Sequence, residues 1–350
     1  MNRRLSKPPV VGPHPVVFSW DLDKTYLKSE FDSLRELVKI PFEKPEDKIA
    51  VPGVVPLIRN LRSQAATAGR DARVFFISAS PPQIAKAIKD KLALDGVEYD
   101  GITFKNQLQN IVRGKFRNLR EQVGYKLTEL LRARPSFPAV AREVLFGDDW
   151  ESDPIIYSLY GDILAGNIDH GEIRGILEII GVDPALIAEA ETLAEPIAAI
   201  DAVERIYINL ERRTPPKLFE HFGARLVPTF NYFQTACCLF QDGYLNLAAV
   251  VEVASHLVAS SGYTPLRLSN SLADIARRRH LNEVTTIAIS EYMHAKGLLP
   301  LPRRGRSERQ PLWQRIRRWL RSRPKRTVET LQPRPAINYH ELIAEWRQAR

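Results

Sequence analysis

Apolar positions along the first half of the chain alternate between compact runs and helical stripes. Val16 to Trp20 is a short run rich in β-forming residues, bounded upstream by Pro13 and Pro15, and it predicts a buried strand. After Thr25, Leu34, Leu37 and Val38 stand at helical spacing with charges between them, so Phe31 to Ile40 predicts a short amphipathic helix that Pro41 stops. Pro52-Gly53 is a turn signal, and Val54 to Leu61 reads as a helix laid on a sheet. Arg73 to Ile77 predicts a second buried strand, followed by a helix over Gln83 to Leu94 with Ile84, Ala87, Ile88 and Leu92 in register. Tyr99 to Phe104 predicts a third strand, Gly124 to Leu131 opens a helix, and Glu143 to Phe146 predicts a fourth strand. Strands that alternate with helices in this way form a parallel sheet covered on both faces. Such a sheet binds ligands outside the carboxyl ends of its strands.

Beyond Leu164 the pattern turns helical. Gly171 to Ile180, Asp183 to Ile200, Ala202 to Leu210, Leu245 to Leu257 and Ser271 to Met293 all read as helices, with Asp183-Pro184 as cap and first position. The expected organisation is an N-terminal extension over 1–14, an α/β domain over 15–169 and an α-helical domain over 170–300. A basic amphipathic segment over 301–326 follows, and then a short helix within 327–350, where Tyr339, Leu342, Ile343 and Trp346 share a face that docks on the protein.

Charge changes the picture in one place. Eleven of the 50 basic residues and one of the 41 acidic residues lie between Arg303 and Arg326, which leaves 39 against 40 elsewhere. The basic character therefore belongs to that segment alone. Within it, Leu312, Trp313, Ile316, Trp319 and Leu320 fall on one helical face, with Arg315, Arg317, Arg318 and Arg321 around it. Tryptophan, leucine and arginine so arranged suit a helix lying in an anionic membrane surface, with Trp313, Arg317 and Trp319 as contacts. Nucleic acid is the rival partner, because arginine clusters also neutralise backbone phosphates, and a solvated linker is the bland alternative. The tryptophans favour the membrane, since charge alone does not need them.

Two adjacent cysteines, Cys237 and Cys238, cannot staple a domain of this size and read as buried packing in a reducing compartment. Prolines at 8, 9, 13 and 15 break any secretory h-region. The longest uncharged run, Leu226 to Gln241, is shorter than the roughly 18 apolar residues of a membrane span. A cytoplasmic protein, peripheral to a membrane at most, is the expectation.

The polar residues that follow each strand carry the chemistry. Asp21 and Asp23 follow the first and project the same way if extended geometry continues one step further. A solvated turn with an aspartate cap is the bland alternative. Ser78 follows the second strand, and Asp148, Asp149 and Asp153 follow the fourth, so all converge on one edge of the sheet. Aspartates grouped this way repel one another unless a cation sits among them, and an all-oxygen site suits Mg²⁺. A serine turning into a helix offers a hydroxyl and free N–H groups to a phosphate, and a nearby lysine would balance the charge.

Asp-x-Asp-x-Thr (Asp21 to Thr25), Ser78, a helical Lys126 and the acidic run Gly147 to Asp153, in this order, resemble the haloacid dehalogenase (HAD) superfamily of phosphohydrolases. More narrowly, Arg35-Glu36-Leu37-Val38, Val51-Pro52-Gly53-Val54, Ile77-Ser78-Ala79-Ser80-Pro81 and Gly147-Asp148 to Asp153-Pro154-Ile155-Ile156-Tyr157 resemble the App1-type phosphatidate phosphatase catalytic domain, over about Pro15 to Leu164. The resemblance implies a Rossmann-like sheet with a small cap or none, and phosphatidate hydrolysis to diacylglycerol through an aspartyl phosphate. It implies Asp21 as nucleophile, Asp23 as general acid and base, Ser78 and Lys126 as phosphate ligands, and Mg²⁺ held by Asp21, the Asp23 carbonyl and Asp148, with Asp149 or Asp153 in support. Lys115 and Lys105 compete for the lysine role. Lys126 is favoured because its helix runs into Arg134-Pro135 and the fourth strand. The sequence departs from the family at Lys24, where a third aspartate is usual, and at Pro82, where an aromatic residue is common. A receiver domain uses similar residues but places its acidic pair before the acceptor, the reverse of the order here. Two other readings remain open: a phosphatase of soluble esters, and a non-catalytic scaffold that retains the fold and binds a membrane or nucleic acid.

Overall fold

The computed structural model describes residues 14–28, 48–79, 84–104, 115–150, 152–300 and 337–348. The side chains of residues 115–121 and 345–348 lie outside the description, as do the helix expected over Phe31 to Ile40, Lys105, the Lys115 side chain and the basic segment with Trp313, Arg317 and Trp319.

Six strands form one all-parallel sheet: β1 (Val16–Asp21), β2 (Ala72–Ser78), β3 (Gly101–Phe104), β4 (Arg142–Asp148), β5 (Val203–Asn209) and β6 (Leu226–Thr229). Their order across the sheet is β3-β2-β1-β4-β5-β6. The helices are α1 (Val54–Thr67), α2 (Ala85–Leu94), α3 (Lys115–Ala133), α4 (Asp153–Leu164), α5 (His170–Ile180), α6 (Pro184–Ala194), α7 (Tyr232–Gln241), α8 (Leu247–Ser261), α9 (Pro265–Arg277), α10 (Glu283–Ala295) and α11 (Tyr339–Gln348). The α/β expectation holds, with helices on both faces.

Alternation along the strands sorts side chains between two cores. Val16, Phe18, Trp20, Val74, Phe76, Val144 and Phe146 pack under α1, α2 and α7 to α10. Ile77, Leu145, Ile206 and Ile208 pack on the opposite face with α3 to α6 and α11. Trp20 pairs in register with Phe146, and their rings stack at 3.7 Å, with Phe146 stacked in turn on Tyr207 at 5.4 Å. This ladder ties β1, β4 and β5 together just below the carboxyl edge.

Ala202 to Leu210 was expected to be helical because Val203, Ile206, Tyr207 and Leu210 recur at helical spacing, yet Val203–Asn209 is strand β5. Consecutive β-branched and aromatic residues, Ile206-Tyr207-Ile208, fill both faces of the sheet, which a short apolar run allows equally well. Residues 170–300 are thus not helical throughout: β5 and β6 extend the sheet that β1 begins, and α7 to α10 share a core with β1. The expected helix over Ser271 to Met293 is two helices, α9 and α10, parted around Arg279 in the left-handed region. Asp183 caps α6 and Pro184 opens it, as expected. Tyr339, Leu342 and Ile343 of α11 are buried, and the Tyr339 hydroxyl donates to Asp162 of α4 at 2.6 Å. Cys237 and Cys238 are free thiols buried in α7. Among the described residues no helix is long and apolar enough to cross a membrane.

Candidate active site at the carboxyl edge of the sheet

β1 is the central strand, between β2 and β4, so the residues that end these three strands meet at one point. Asp21 ends β1 fully buried, and its position in the alternation turns it to the face covered by α3 and α4. Lys126, also fully enclosed, reaches from α3 with its Nζ 2.6 Å from Asp21 Oδ1 and 2.7 Å from Asp153 Oδ1. Asp153 begins α4, and its second oxygen accepts from the Asp148 backbone N–H at 3.2 Å. Gly147 makes that approach feasible: a Cβ there would lie 2.4 Å from Asp153 Oδ2 and 2.6 Å from its Cβ. Asp148 Oδ1 accepts in turn from the Trp150 backbone N–H at 2.6 Å.

Among the described residues, Asp21, Asp148 and Asp153 form the group of three buried carboxylates whose oxygens lie within 4.8 Å of one another. Lys126 supplies one positive charge to these three. Such a hard, all-oxygen donor set fits a cation of the Mg²⁺ type. Two tyrosines close the site from opposite faces. Burial, with the Asp153 carboxylate beside it, pushes the Tyr157 phenol well above its ordinary range. Tyr232 is raised by burial and then by Asp148 and Asp21, and its hydroxyl donates to the Thr25 carbonyl at 2.6 Å.

Asp23 stands apart from the three. It is half-buried, and its Oδ2 accepts from the Ser78 hydroxyl at 3.1 Å, so the ends of β1 and β2 are joined through this pair. Asp149, expected to support a metal, faces elsewhere. Its two carboxylate oxygens accept from the backbone N–H groups of Arg212 and Thr214 at 2.9 and 3.0 Å, which clamps the loop after β5. Of the competing lysines, Lys126 is the one whose side chain meets the carboxylates within the described structure.

Residues 17–174 match the family model of the phosphatidate phosphatase APP1 catalytic domain. The match begins in β1 and ends within α5, somewhat under half of the 350 residues, and it contains Asp21, Asp23, Ser78, Lys126, Asp148 and Asp153. No curated protein matches the chain.

Several residues around this site were not legible from motifs. Lys24, which departs from the family pattern, adopts a left-handed φ of 59° and lays its Nζ 3.5 Å from the centre of the Trp150 ring. The Arg212 guanidinium lies over the same ring at 4.7 Å. Asn209 pairs in register with Asp148 and donates to the Lys24 carbonyl at 3.5 Å. The signal for Trp150 was its place inside the acidic run. Asn209 and Arg212 fall beyond the matched segment and were hidden by the helical reading of β5.

Proposed function

We propose that the protein hydrolyses the phosphomonoester of phosphatidate, with Asp21 as nucleophile and Mg²⁺ as cofactor. The reading is carried by the meeting of Asp21, Asp148 and Asp153 within 4.8 Å at the carboxyl edge of the sheet, with Lys126 bridging Asp21 and Asp153. It is supported by the match to the APP1 catalytic domain, whose named substrate is phosphatidate.

An Asp21 oxygen attacks phosphorus, and the bond from phosphorus to the glycerol oxygen breaks. Asp23 gives its proton to that departing oxygen, with the Ser78 hydroxyl, 3.1 Å away, holding the carboxyl group in place. Asp23, now ionised, takes a proton from water as the water attacks the phosphoryl group on Asp21 and the acyl phosphate bond breaks. Lys126 holds Asp21 in orientation and balances charge on the transferred group, and Asp153 fixes Lys126 through its 2.7 Å contact. Bound at Asp21 and Asp148, a Mg²⁺ ion would neutralise charge on the phosphoryl oxygens. The basic amphipathic segment over 301–326 brings the enzyme to an anionic membrane, where such a substrate resides.

The test is phosphate release from phosphatidate in mixed micelles and from para-nitrophenyl phosphate, with Mg²⁺ or with chelator, using wild type and Asp21→Asn. Release from both substrates that requires Mg²⁺ and vanishes in Asp21→Asn is expected. Equal release by the two proteins removes Asp21 as nucleophile. Turnover of the soluble ester alone replaces the lipid substrate with a soluble one.

A further inference from the structure

Beside the carboxylates, one strand further along the sheet, lies a cleft of about 640 Å³. Its floor is the carboxyl end of β5 and β6, and its walls are the segment after β1 on one side and α8 with α9 on the other. Apart from Lys28, Val51 and Pro52, its lining falls outside the segment that matches the APP1 catalytic domain. The cleft adjoins the reacting groups through Asn209, which lines it, pairs in register with Asp148 and holds the carbonyl of Lys24, the neighbour of Asp23.

We infer that this cleft is the leaving-group subsite, and that it takes the acyl-glycerol part of the substrate, the glycerol with its ester carbonyls, while the long acyl chains stay in the lipid phase. The inference rests on the phosphatase reading, in which Asp23 faces the departing oxygen. Size supports it: pockets of ~300–1,000 Å³ enclose ligands of drug-like size, the scale of a diacylglycerol head without its two long tails. Chemistry supports it more sharply. Ester groups accept hydrogen bonds and donate none, and the cleft is rich in donors on separate elements: Lys28 after β1, Arg213 in the loop after β5, Arg267 in the first turn of α9 and the amide of Asn270. The N-terminus of α7, capped by Asn231, opens into the same space and adds its positive end. Of the two acids in the lining, Asp274 is held by Arg277 and Arg278 at 2.8 and 2.9 Å and by the Gln234 amide at 3.2 Å. Phe230 and Tyr263 supply the apolar surface on which the first carbons of the chains would rest. Arg213 has φ 58°, so its place in the loop is imposed on a residue that prefers to avoid it, a cost of the kind met at ligand sites.

The test compares kcat/KM of the full chain on dioctanoyl phosphatidate, glycerol 3-phosphate and para-nitrophenyl phosphate with Mg²⁺. Wild type is expected to favour dioctanoyl phosphatidate over glycerol 3-phosphate at least tenfold, because only the first carries ester carbonyls. Arg267→Ala and Arg213→Gly are expected to lower kcat/KM on dioctanoyl phosphatidate about tenfold, mainly through KM, and on para-nitrophenyl phosphate less than threefold. Glycine tolerates the left-handed turn at 213, so that variant removes the side chain and keeps the loop. Equal losses on the two substrates, or no loss on the lipid, overturn the subsite, as does a wild type that hydrolyses para-nitrophenyl phosphate and ignores the lipid. A wild type inactive on every ester fails earlier, at the phosphatase reading, and takes the subsite with it.

Discussion

Lys126→Met removes the cation that joins Asp21 and Asp153 while keeping all but the last atom of the side chain's length. The ammonium is fully enclosed and contacts Asp21 at 2.6 Å and Asp153 at 2.7 Å, so the substitution leaves buried carboxylates without it. Removing one partner of a buried ion pair costs ~3–5 kcal/mol, because the remaining charge stays desolvated. Against a total stability of ~5–15 kcal/mol, that is a large share. With ~2–4 °C lost per kcal/mol in large domains, a loss of that size should lower the melting temperature by roughly 6–20 °C. Urea unfolding and thermal melts in chelator measure this directly. A second arm adds Mg²⁺. A ligand that binds only the native state stabilises it by RT ln(1 + [L]/Kd), and loss of the competing lysine should strengthen cation binding. The Mg²⁺-induced rise in melting temperature should therefore be larger in the variant than in wild type. A variant within about 1 kcal/mol of wild type in chelator would refute the buried bridge. A smaller Mg²⁺ effect in the variant would refute the cation site.

Gly147→Ala places a methyl group 2.4 Å from Asp153 Oδ2, so Asp153 must withdraw from Lys126 and from the Asp148 N–H. A loss of ~1–3 kcal/mol in urea unfolding is expected, together with loss of phosphate release. Glu143, buried at the opposite end of β4, is pushed up to about 7 by burial, with Arg134 and Tyr160 opposing. Its protonated form is favoured in the native state, so its contribution to stability is complete below pH 4.5 and is lost as pH rises through about 7. Comparing urea midpoints from pH 5 to 8, wild type should lose up to about 3 kcal/mol relative to Glu143→Gln, and parallel pH profiles would contradict the shift. Deleting residues 303–326 should weaken co-sedimentation with anionic vesicles and spare turnover of para-nitrophenyl phosphate; loss of both would contradict a targeting role for the segment.

The strand ends were legible because a parallel sheet makes sequence position and spatial position coincide. An acidic or hydroxyl residue just after an apolar run lies at the carboxyl edge, so Asp21, Ser78 and Asp148 could be placed together without long-range information. Lys126 was harder, since a mid-helix lysine carries no local sign of burial; only its distance from β4 favoured it over Lys115. Asp149 went the other way. Adjacent to Asp148 and identical in type, it spends its oxygens on the Arg212 and Thr214 N–H groups, a partnership set by the loop after β5, 63 and 65 residues on. The second half was misread for one physical reason. A strand buried on both faces has no period of two, so β5 resembled a helix, and with β5 went the extension of the sheet, Asn209 and the cleft beside it. The aromatic ladder of Trp20, Phe146 and Tyr207 was likewise invisible, because it depends on register between strands rather than on any one of them.

The claim on which the rest depends is that the phosphoryl group passes through Asp21. Rapid acid quench of the full chain with ³²P-phosphatidate and Mg²⁺, followed by peptide mapping, measures this most directly. Alkali-labile label on the peptide that contains Asp21, absent in Asp21→Asn, is the result the account predicts. Turnover without label on the protein, or label on a different peptide, would contradict it.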